Sequence, residues 1–138
     1  MKKAVLNNIF NIIFLTGLVL ISACDKEKGL STGWLRGTIS IGPICPVEKI
    51  PPDPACLPTA ETYKAYPVSV YSSDRKSKIG QLNPSLDGSF SIELPEGNYL
   101  VVLEKTQNNI GRSNLPSEVS INSGDETVLN ISIDTGIR

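Results

Sequence analysis

The sequence predicts an all-β fold, a seven-stranded antiparallel sandwich. Three observations carry this. Beyond residue 33, apolar and polar residues alternate in short runs. Gly, Pro, Asn and Asp divide those runs at close intervals. No long segment repeats its apolar residues at the helical period.

The first strand is WLRGTISI, residues 34–41, with Leu35, Ile39 and Ile41 on one face and Arg36, Thr38 and Ser40 on the other. The second is YPVSVYS, residues 66–72, with Val68 and Val70 inward. Pro67 near its start marks an edge or a strand beginning. A weaker third strand spans residues 76–82. In the next segment, NPSLDGSFSIELPEGNYLVVLE, Asp87-Gly88 predicts a hairpin turn. Phe90, Ile92 and Leu94 alternate inward after it. Pro95-Glu96-Gly97-Asn98 is a second turn, and Tyr99, Val101 and Leu103 continue the alternation. Leu100 and Val102 are apolar on the opposite face, which predicts a central strand. Residues 118–122 and 126–134 complete the set, with Val119, Ile121, Leu129, Ile131 and Ile133 inward.

Seven short strands in about a hundred residues describe an immunoglobulin-like or transthyretin-like sandwich. A dozen large inward side chains each contribute about 1.5–3 kcal/mol. Backbone ordering opposes most of that gain, so a cross-link would help a domain of this size.

The stretch LDGSFSIELPEGNYLVVLE resembles the hairpin of carboxypeptidase regulatory-like domains, in the transthyretin-like superfamily. The resemblance implies the sandwich and no particular activity. Enzymes of the wider superfamily hydrolyse a urate derivative with histidines and a C-terminal Tyr-Arg-Gly-Ser. This chain has no histidine and ends Thr-Gly-Ile-Arg, so that activity does not carry over. Collagen-adhesin relatives cross-link a first-strand Lys to a last-strand Asn. Here Asn130 is available, but the first strand offers Arg36 and no lysine.

Ahead of the domain, Lys2 and Lys3 precede an apolar run from Ile9 to Ile21. That run is shorter than the roughly 20 residues a spanning helix needs, and it matches the apolar region of a secretory signal. Ile21-Ser22-Ala23-Cys24 at its end resembles a bacterial lipobox, in which the cysteine is acylated and becomes the new N-terminus. Each buried CH₂ contributes about 0.8 kcal/mol, and two or more chains give stable attachment. The expected organisation is a signal peptide over residues 1–23, lipidated Cys24 with a tether over 24–33, and one domain over 34–138. The mature protein would be anchored to a membrane surface of the cell envelope, inner or outer, periplasmic or surface-facing. The charges after Cys24 suit more than one sorting rule, so the leaflet stays open.

Removing the signal leaves 115 residues with 11 basic and 14 acidic side chains, a net charge of −3. That balance argues against a nucleic-acid partner. The absence of histidine removes His-built zinc sites, Ser-His-Asp and Cys-His nucleophiles, and the commonest general base. Asp87 and Asp125-Glu126 sit in turns and match no EF-hand spacing. No cofactor, no metal and no catalytic residue is expected.

Cys45 and Cys56 bracket a proline-rich stretch, GPICPVEKIPPDPAC. Export places them in an oxidising compartment, which predicts a disulfide. Its ring contributes about 3 kcal/mol on the chain-entropy account. Pro46, Pro51, Pro52, Pro54 and Pro58 stiffen the same stretch. Three readings stay open: a stapled crossover, a preorganised binding loop, or a protease-inhibitor loop with Lys49 as its specificity residue. The binding candidates are Val47, Glu48, Lys49, Ile50 and Asp53. The functional expectation is a membrane-anchored, non-catalytic binding or scaffolding lipoprotein that meets an envelope protein or a polysaccharide. The alternative is a carbohydrate-binding accessory module built on Trp34, Tyr63, Tyr66 and Tyr71.

Overall fold

The computed structural model describes residues 29, 31–47, 49–104 and 111–137. It contains two sheets over a shared core. In the first, β1 (Thr32–Gly42) lies between β4 (Ser89–Pro95) on one flank and β7 (Glu126–Val128) and β8 (Ile131–Asp134) on the other. The second runs in the order β3 (Lys78–Gln81), β2 (Val68–Ser72), β5 (Gly97–Leu103), β6 (Ser117–Ile121). The expected all-β sandwich is the fold, and most of its core is the set the alternation placed inward; Ile92, Leu103 and Leu129 are only partly buried against it, and Tyr66, Leu82 and Val102 are buried as well. Leu35, Ile39 and Ile41 of β1 meet Phe90, Leu94, Ile131 and Ile133 in one layer; Val68, Val70, Tyr99, Val101, Val119 and Ile121 form the other. β5 is central, as its two apolar faces imply, and Val102 is buried on its outer side.

Several details differ from the sequence reading. β1 begins at Thr32, so the end of the expected tether belongs to the sheet. Gly33 is buried there, and a β-carbon on it would run into the Asn122 carbonyl. The last expected strand is two, β7 and β8, which makes eight strands. Both run parallel to β1 rather than antiparallel. Their register on β1 is continuous, Arg36 with Val128 and then Ile39 with Ile131. Between these, Leu129 swings in over Gly37, and its N–H donates to the Arg36 carbonyl at 2.8 Å. The Asn130 side-chain oxygen fills the gap in the ladder, accepting the Thr38 N–H at 3.3 Å and the Thr38 hydroxyl at 3.1 Å. Asn130 thus ties the last strand to the first without a covalent bond.

The hairpin expected around Asp87-Gly88 is a corner between sheets. β4 pairs with β1, whereas β3 pairs with β2. The turn closes locally, with the Gly88 N–H donating to the Ser85 carbonyl and the Asp87 carboxylate accepting the Ser89 N–H and hydroxyl. Gly88 has a φ of 83°, and it abuts the Ile39 backbone. Pro95–Gly97 likewise carries the chain from one sheet to the other. The Tyr99 hydroxyl fixes this crossing by donating to the Pro95 carbonyl at 2.7 Å.

Candidate functional site

The long connection from β1 to β2 is built rather than loose. Cys45 and Cys56 are joined, with their Cα atoms 5.4 Å apart. A 3₁₀ turn, Pro54–Cys56, starts at Asp53, whose carboxylate accepts the Ala55 N–H at 3.0 Å. A short helix, α1 (Ala60–Ala65), follows. Thr59 caps it, exchanging hydrogen bonds with Thr62 in a reciprocal box. Tyr66, expected to open a strand, ends this helix and is buried in the core. Thr135, after β8, clamps the base of the loop, with its N–H on the Gly42 carbonyl and its hydroxyl on the Pro43 carbonyl.

A cleft of about 300 Å³ lies between the end of β1 and the loop. It is lined by Ser40, Ile41 and Ile44 at and just after the end of β1, and by Pro52, Leu57 and Pro58 of the loop. Lys49 and Asp53 also line it, and their charges meet at 3.9 Å. Of the expected binding residues, the structure therefore brings these two together. Val47 and Ile50 project away as exposed apolar side chains, and Ile50 is fully open to solvent at 101%. Glu48 and Cys24 lie outside the described residues. The β1 wall was not legible as part of a site. The only sequence signal for it is that the apolar alternation of β1 continues up to the proline-rich stretch.

The aromatic residues do not assemble into a sugar platform. Trp34 is on the outer face of the first sheet, with the Arg36 guanidinium over its ring at 5.2 Å. Arg36 is held by Glu126 at 2.8 Å and by the Ser91 hydroxyl. Tyr71 belongs to the second sheet and donates to Glu104 at 2.8 Å. That bond raises the Tyr71 hydroxyl and, aided by Lys78, holds the Glu104 carboxyl below its ordinary value. Tyr63 packs against the core, where burial and the Asp87 charge push its hydroxyl up. Among the described residues, no cluster of His, Cys, Asp and Glu could hold a metal ion, and no helix is long and apolar enough to cross a membrane.

No protein-family model and no curated relative matches the chain. Solved structures do. The chain is similar to GBS52, the minor pilin of Streptococcus agalactiae, at 16% identity and a TM-score of 0.53, over 77% of this chain and 45% of that one. The fold is an immunoglobulin-like sandwich. A DUF3823 family protein from Parabacteroides merdae matches at 18% identity and a TM-score of 0.45, over 74% of this chain and 45% of that one. BcpA, the major pilin subunit of Bacillus cereus, matches at 10% identity and a TM-score of 0.43, over 77% and 31%. The chain spans less than half the length of each of these structures.

Proposed function

We propose that this protein is a lipid-anchored, non-catalytic binding module of the bacterial cell envelope, and that the Cys45–Cys56 end is its recognition surface. One observation supports this above the others. β1 leads directly from the tether at Thr32 to the loop at Gly42. At about 3.3 Å per residue, Gly42 lies roughly 33 Å from Thr32, where β1 begins. A chain anchored through Cys24 would hold Val47, Ile50 and Leu57 away from its own membrane. A rigid loop loses less entropy on docking, which favours recognition over a merely structural crossover. A minor pilin shares the fold, in keeping with a structural rather than a catalytic role. The LDGSFSIELPEGNYLVVLE stretch supports a finer kinship with carboxypeptidase regulatory-like domains.

The anchor is tested by feeding cells a clickable palmitate analogue. The wild-type chain should incorporate it and sediment with membranes, and Cys24→Ser should do neither. A wild-type chain that stays unlabelled and soluble would contradict the anchor.

A further inference from the structure

β1 is paired unevenly along its two flanks. On one side, β7 and β8 follow it to Gly42. On the other, β4 accompanies it only from Thr32 to Thr38. The Ile39 N–H makes the last contact on that side, donating to the Gly88 carbonyl at 2.8 Å. Backbone groups alternate sides along a strand, so Ile41 points the same way as Ile39. Gly42 points the other way, since its carbonyl accepts the Thr135 N–H. The N–H and C=O of Ile41 therefore face the flank that β4 has left, where, among the described residues, no strand residue stands opposite them. Its side chain is buried in the core, so backbone is what it turns to that flank.

The cleft lies at this place. It is walled by residues of β1 and the disulfide loop and by none of β8. Its volume, about 300 Å³, is at the small end for ligand clefts. Its lining is mixed: Ile44, Leu57 and the prolines supply the apolar part, Ser40, Lys49 and Asp53 the polar part, and Lys49 and Asp53 answer each other's charge, which favours an uncharged occupant. An open strand edge beside a cleft fits strand addition. Main-chain bonds supply affinity there, and pockets for alternate side chains supply selectivity.

We propose that this slot takes an extended, uncharged peptide segment of a partner protein, which pairs with β1 at Ile41 and seats one side chain in the cleft. The proposal rests on the reading of the loop end as the recognition surface, and it names the chemistry of what is recognised. The Cys45–Cys56 bond ties the loop wall at Cys56 back to the chain that leaves β1, and Thr135 fixes that chain at Gly42 and Pro43.

The test uses the ¹⁵N-labelled full chain in detergent micelles and the blocked peptide acetyl-Val-Thr-Val-Thr-Val-amide as probe. In the free protein the Ile41 amide should exchange with solvent at least tenfold faster than that of Val70, inside the second sheet. The probe should slow Ile41 exchange at least tenfold. The same peptide N-methylated at alternate residues keeps its side chains but cannot pair, and it should bind at least tenfold more weakly. Leu57 is half exposed, so Leu57→Asp should leave the melting temperature unchanged and weaken the probe at least tenfold. Ser123→Asp, at the other pole, should do nothing. Protection of Ile41 in the free protein, equal binding of the two peptides, or no binding would each overturn the slot. Should the slot fail while position 50 still cross-links to a partner, the loop reading stands without it.

Discussion

The Leu129 carbonyl occupies the space beside Gly37 that a β-carbon would need. This contact lets the chain of β7 and β8 lean over β1 and then resume its register at Ile131. Gly37→Ala should therefore destabilise the domain by at least the roughly 1–3 kcal/mol typical of overpacking, because the obstacle is backbone and cannot rotate away. Gly42 lies on the same strand, and a β-carbon there would meet nothing within 4 Å. Gly42→Ala should change stability by no more than about 0.5 kcal/mol. Urea unfolding of the two variants checks the contrast.

Breaking the Cys45–Cys56 bond should lower stability by about 3 kcal/mol. The Cys45→Ser/Cys56→Ser double variant, compared with the reduced and oxidised wild type, measures it. The core lies outside the ring, so the variant should stay folded and keep its far-ultraviolet circular dichroism.

Tyr99 is buried, and its hydroxyl closes the crossing from β4 to β5 on the Pro95 carbonyl. Tyr99→Phe removes that bond and keeps the ring. The expected loss is about 1 kcal/mol, read from thermal or urea unfolding.

Acid should weaken the fold. The Ser89 hydroxyl and N–H hold the Asp87 carboxyl below its ordinary value, and the Ser72 hydroxyl and the Lys76 N–H do the same for Asp74. A group depressed in the folded state adds stability in full above its unfolded value, about pH 4. That stability is lost as the pH falls through the lower folded value. Asp87→Asn keeps an acceptor for the Ser89 N–H but cannot titrate. Its stability should therefore fall less steeply below about pH 4 than that of the wild type. Urea midpoints between neutral pH and pH 2 supply the comparison.

The parts of this fold that were legible in the sequence are those governed by local alternation. Leu35, Ile39, Phe90, Leu94, Val119 and Ile121 face the core because a half-buried strand imposes a period of two. Pairing partners are not local. The Asp87-Gly88 turn makes the same short-range bonds in a hairpin or at a corner between sheets, so nothing in it says that β4 joins β1. α1 is too short for its periodicity to register, and Thr59 with Thr62 is its only sequence mark. The cysteines and prolines announced a rigid loop. The cleft needed the fold, because its other wall comes from where β4 stops along β1.

Cross-linking in living cells tests the central claim most directly. A photoreactive amino acid placed at position 50, on the loop, should capture a discrete envelope protein. The same group at the exposed position 123, beside the tether, should not. Capture from position 123 and none from position 50 would contradict a recognition surface at the Cys45–Cys56 end.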